Sequence, residues 1–86
     1  MKRRDGLKEQ PMQDELMLVD EEADKVHVLN STSACIWQAL GESSDEAVIA
    51  ARLRERFKLQ ADQDVSAVIR KALGQLREKG LVVEGG

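Results

Sequence analysis

The spacing of apolar residues along this chain changes once, at Asn30, and that change constrains the fold more than any other feature. Before it, apolar residues fall on alternate positions, with Leu16 and Leu18 in residues 15–19 and Val26 and Val28 in residues 25–29. Alternation of this kind puts each set on one face of a strand. The polar stretch Asp20, Glu21, Glu22, Ala23, Asp24 separates the two runs, so they read as a hairpin. After Asn30 the spacing is helical. A first helix over residues 31–40 has Asn30, Ser31 or Thr32 to cap it, Ile36, Trp37 and Leu40 as its stripe, and Gly41 to end it. Ser43 followed by Glu46 makes a capping-box pattern for a second helix over 44–57, where Ile49, Leu53 and Phe57 share one face. Asp62 or Asp64 caps a third, in which Val65, Val68, Ile69, Ala72, Leu73 and Leu76 form the strongest periodic stripe of the chain before Gly80.

The ends are less patterned. Residues 1–13 are polar and hold the single proline, Pro11, which predicts a loose start over residues 1–6 and one short edge strand around residues 7–10. Leu81, Val82 and Val83 suit either a short strand or simple packing on the core. The expected fold is α+β and winged helix-turn-helix-like, with two or three antiparallel N-terminal strands followed by three helices, in one domain over residues 1–86. A small open sheet of this kind has an edge whose unpaired N–H and C=O groups can receive another extended chain.

Composition narrows the function classes. Charged residues make up 34% and apolar residues 42% of the 86, a balance that suits a folded domain rather than a disordered chain. The net charge of −3 gives no overall attraction to phosphate backbones. A single cysteine, Cys35, and a single histidine, His27, give neither a disulfide nor a zinc site of Cys and His alone, and a reducing cytoplasm is the expected compartment. No apolar run approaches the roughly 20 residues that span a bilayer. Catalysis needs a nucleophile with its base, a paired acid and base, or a metal in one pocket, and the inventory for that is thin. Cys35, beside Ile36 and Trp37, reads as a buried structural thiol, and His27 as a partly exposed strand residue. Trp37 and Phe57 read as core. The acidic run over residues 20–24 lacks the ligand spacing of a calcium loop and reads as a solvated turn. No enzyme activity, cofactor or metal is expected.

The rival function is DNA binding, because three helices with strands resemble winged helix-turn-helix modules and the third helix carries Arg70, Lys71, Arg77 and Lys79. Asp62, Asp64 and Glu78 dilute that charge, and the N-terminal end that reaches base edges in such modules is acidic. Arg52, Arg54, Arg56 and Lys58 lie around the second helix with Glu55 and read as a solvated face.

Three segments in order carry a family resemblance: residues 14–20 (Asp-Glu-Leu-Met-Leu-Val-Asp), residues 25–37 (Lys-Val-His-Val-Leu-Asn-Ser-Thr-Ser-Ala-Cys-Ile-Trp) and residues 76–82 (Leu-Arg-Glu-Lys-Gly-Leu-Val). Over residues 7–84 the chain resembles the PqqD-like family, the precursor-peptide recognition elements of ribosomally synthesised and modified peptides. The resemblance implies a non-catalytic domain that binds the leader segment of a precursor peptide. It presents that peptide to a separate modifying enzyme, such as a radical S-adenosylmethionine protein or a leader peptidase.

In that family the leader adds as a strand beside the strand preceding the first helix, in a groove lined by the last helix. The residues implied here are Lys25, Val26, His27, Val28 and Leu29 on the strand. On the last helix they are Val65, Val68, Ile69, Arg70, Ala72, Leu73 and Leu76, with Lys71 a further contact for acidic leader side chains. The helix stripe must serve both groove and core, and sequence does not divide it. An uncovered edge can also pair with its own copy, so a homodimer is a further expectation.

Overall fold

The computed structural model describes residues 2–83. Strands Lys2–Arg3 (β1), Lys8–Met12 (β2), Glu15–Asp20 (β3) and Lys25–Leu29 (β4) precede helices Ser31–Leu40 (α1), Glu46–Phe57 (α2) and Ser66–Glu78 (α3), and Val82–Val83 (β5) follows. Two antiparallel sheets result, one of three strands in the order β2-β3-β4 and one of two strands joining β1 to β5. The α+β arrangement expected from the change of period is the one observed.

The register of β3 on β4 pairs Leu16 with Leu29, Leu18 with His27 and Val19 with Val26. Paired residues share a face. Leu16, Leu18 and Leu29 therefore turn toward the helices and are buried, whereas Val26 and Val28 turn outward with Val19 and Met17. Beneath the inner face lie Ile36, Trp37 and Leu40 of α1, Ile49 and Leu53 of α2, Ile69 and Leu76 of α3, and Leu81 and Val82 beyond it, all buried in one cluster. At about 1.5–3 kcal/mol for each fully buried large aliphatic side chain, this cluster is the main source of stability.

Local chemistry accounts for most boundaries. The Asn30 side chain accepts the Ser33 N–H at 2.9 Å and starts α1. α2 begins two residues later than its capping-box pattern suggests, because Asp45 accepts the Ala47 N–H at 2.9 Å while Ser43 Oγ is occupied by the Asp45 N–H at 3.0 Å. Asp64 rather than Asp62 serves the start of α3, accepting the Ser66 N–H at 2.9 Å. Gly80 closes that end of the chain in the left-handed region, at φ 72°.

The opening residues depart from the loose start expected for them. Lys2 and Arg3 pair with Val83 and Val82, and the Arg4 N–H donates to the Leu81 carbonyl at 2.9 Å. Side chains fasten the same segment: the Arg3 guanidinium lies 5.1 Å from the Trp37 ring centroid, and that of Arg4 donates to the buried Asp20 carboxylate. Strand β2 is also displaced from residues 7–10 to Lys8–Met12 and contains Pro11.

Candidate functional site

The three-stranded sheet has two edges, and they are not equivalent. A two-residue turn joins β2 to β3, so Met12 and Glu15 close it as a hydrogen-bonded pair, and such pairs then alternate along the ladder. Pro11 falls between two of them, with its missing N–H facing the free side of β2, where no ladder donor is lost. Proline and the charged Lys8 and Glu9 blunt that edge. The Trp37 Nε1–H also donates to Glu9 at 3.2 Å, tying β2 to α1.

The same alternation carried through β3 directs the N–H and C=O groups of Leu16, Leu18 and Asp20 toward β4, where they meet Leu29, His27 and Lys25. The backbone groups of Val26 and Val28 consequently face the open side of β4. Among the described residues no strand pairs there, and no proline or bulge protects it. β4 packs on β3 and α1 but not on α3, and Asn30, the residue that follows it, lines a gap against the last helix.

The helix wall of that gap separates the stripe into two sets. Val65, Ile69 and Leu76 are buried in the core and Leu73 is half-buried against it. Val68 is 46% exposed although apolar, and it lines a hollow of about 310 Å³ with Lys71, Ala72 and Gln75 of α3 and Asn30, Thr32 and Ser33 at the start of α1. Of the helix residues singled out from sequence, Val68 and Ala72 thus belong to the groove. Val65, Ile69, Leu73 and Leu76 hold the helix in place. Arg70 points the other way, toward α2, with its guanidinium 3.9 Å from Glu46. Asn30, Thr32 and Gln75 complete the groove and carry no periodic signal that would mark them in a sequence. On β4, Val26 and Val28 are exposed on the outer face, His27 is half-buried on the inner face and Leu29 is core.

A larger hollow of about 500 Å³ between α1 and α2 has a different character. It is lined by Cys35, Gln38, Glu42, Arg52 and Arg56, and its arginines are engaged, Arg52 with Glu42 and Arg56 with Asp14 at 3.3 Å. Cys35 is half-buried rather than buried, its Sγ 3.9 Å from the Arg52 carbonyl, and burial pushes its thiol pKa up, away from the reactive thiolate. Among the described residues no group of three or more His, Cys, Asp or Glu side chains is gathered to hold a metal ion, and no helix is long and apolar enough to cross a membrane.

The family model described as coenzyme PQQ synthesis protein D (PqqD) matches residues 15–82, most of the chain. The chain belongs to the PqqD family. Its matched segment opens at the first residue of β3 and takes in both the open edge of β4 and the groove wall of α3. A search of curated protein sequences returns no match. Among solved structures, TbiB1 in complex with the TbiA(beta) leader peptide is similar with a TM-score of 0.76 and 23% sequence identity, covering 100% of this chain and 99% of TbiB1. At that identity the likeness establishes a shared fold, including the N-terminal strands that lie outside the family match.

Proposed function

We propose that this PqqD-family domain binds the leader segment of a ribosomally synthesised precursor peptide as a strand added to β4, and presents it to a separate modifying enzyme in the cytoplasm. The observation that carries the reading is the open edge at Val26 and Val28 beside a groove walled by Val68, Lys71, Ala72 and Gln75. Family membership supports it, as does the similarity to TbiB1, whose structure holds a leader peptide. Backbone pairing along an edge supplies affinity that tolerates sequence, while pockets for alternate side chains supply specificity. A leader residue opposite His27 faces the groove and meets Val68, and a leader carboxylate there meets the Lys71 ammonium. The role asks for binding and orientation alone, with the bond-making steps left to the partner enzyme.

The winged-helix shape keeps DNA binding as the rival. It is disfavoured by Arg70 being turned to Glu46 and by the Asp64 carboxylate at the N-terminal end of α3, where a reading helix meets the groove. Titrating a cognate leader peptide, by fluorescence anisotropy, tests the proposal against V68D. Placing a carboxylate in the groove should weaken binding by about tenfold or more, because the bound strand must then bury a charge that also competes with the leader for the Lys71 ammonium, with the circular dichroism unchanged because Val68 lies outside the core. Equal affinity for wild type and V68D would remove α3 from the site. Affinity for duplex DNA that falls steeply with salt would favour the rival.

A further inference from the structure

The outer face of the three-stranded sheet carries an apolar patch that folding leaves uncovered. Val26 and Val28 are 56% and 49% exposed there, and their cross-strand partners Val19 and Met17 are only half-buried. One strand further in, the same rows end on Lys8 and Gln10, so the apolar part is confined to the half of the sheet next to the open edge of β4. Two short rows, Met17 with Val28 and Val19 with Val26, therefore run toward that edge and stop. Their last members are the two residues whose backbone groups are free to pair.

We propose that this patch is a second specificity surface for the bound peptide strand. The inference rests on strand addition to β4 as proposed above. A strand paired there places side chains alternately in the groove and on the outer face. The two peptide residues opposite Val26 and Val28 extend the apolar rows by one member each, and the residue between them enters the groove. The recognised segment thus carries β-branched or aromatic residues on its outer face, at positions i and i+2 around the groove-facing one. Each such cross-strand pair tightens binding about twofold to fivefold.

The double variant V26T/V28T replaces one methyl by hydroxyl at each position while retaining the branched shape that suits a strand. A display library of random peptides is selected on the whole wild-type protein and on the variant, and enriched peptides are titrated against both. Wild-type selection is expected to enrich apolar residues at i and i+2. Those peptides should lose about fourfold or more in affinity for the variant, and the loss should vanish when both positions carry Thr. Equal affinity of wild type and V26T/V28T for apolar and Thr peptides, while V28P weakens their binding, overturns the second surface and leaves strand addition standing. Enriched peptides that V28P binds as wild type does, or no enriched peptide at all, overturn strand addition and this inference with it. A free dimer seen by sedimentation that V26T/V28T converts to monomer assigns the patch to a second copy of the chain and overturns the proposal.

Discussion

Two proline substitutions on adjacent residues of β4 should separate binding from stability. The Val28 N–H faces the open edge and the His27 N–H faces β3, where Leu18 opposite His27 is fully buried. V28P removes a donor that only a bound peptide would use. At a solvent-facing edge one lost hydrogen bond costs about 1 kcal/mol, or roughly fivefold in Kd, and more where the peptide carbonyl is left unpaired and dry. The free protein should be little affected, as β2 already tolerates Pro11 at an equivalent position. H27P instead breaks the ladder to β3 and leaves a buried carbonyl without its donor, a cost of about 1–3 kcal/mol against a total stability of about 5–15 kcal/mol. Urea unfolding read by the single tryptophan, Trp37, which is 2% exposed, measures stability, and anisotropy of a labelled leader measures binding. If V28P destabilises as much as H27P, or binds the leader as wild type does, the assignment of the open edge fails.

Three further outcomes test the packing and the electrostatics. I69A should cost about 2–5 kcal/mol by opening a cavity under α3, while V68A, one residue along and half-exposed, should change stability by less than about 0.5 kcal/mol in the same urea assay. Gly74 sits exposed in the middle of α3 with no atom within 4 Å of where a side chain would begin, so G74A should add about 0.8–1 kcal/mol and raise Tm by roughly 4–8 °C in calorimetry. The hydrogen bond from Arg4, with that from the Ala23 N–H, holds the Asp20 carboxyl below its ordinary pKa of 3.8. The folded state therefore binds this proton less readily than the unfolded chain, so its contribution to stability is full above the ordinary carboxylate range and is lost as pH falls through the lowered folded value. D20N should flatten that acid limb of the urea midpoint against pH, and an unchanged limb would refute the linkage.

Much of this architecture is legible in the residues because local signals agree with the tertiary outcome. Asn30 caps α1 at the residue where the apolar period changes, and the α3 stripe is strong because it is packed along its length. What was not legible depends on distance in space. Val68 and Ile69 are neighbours on one apolar stripe, and only the absence of β4 from the face of Val68 makes one groove and the other core. Alternation placed Val26 and Val28 together on one face, but the side away from the helices is set by register with β3. Arg70 and Lys71 look alike in sequence, and a 100° turn of the helix separates the Glu46 side from the groove. The pairing of Lys2–Arg3 with Val82–Val83 has no periodicity to announce it, because two-residue strands joined across the whole chain are fixed by Arg3 on Trp37 and Arg4 on Asp20.

The most direct test of strand addition is amide hydrogen exchange of β4, resolved residue by residue by NMR, in the free protein and at saturation with the leader. In the free protein the His27 and Leu29 amides should already be slow and those of Val26 and Val28 fast, since only the former are bonded to β3. Leader binding should slow Val26 and Val28 by about tenfold or more and leave the fast Glu9 amide on the free side of β2 as it was. Binding that leaves the Val26 and Val28 amides exchanging at their free rates would contradict strand addition at this edge.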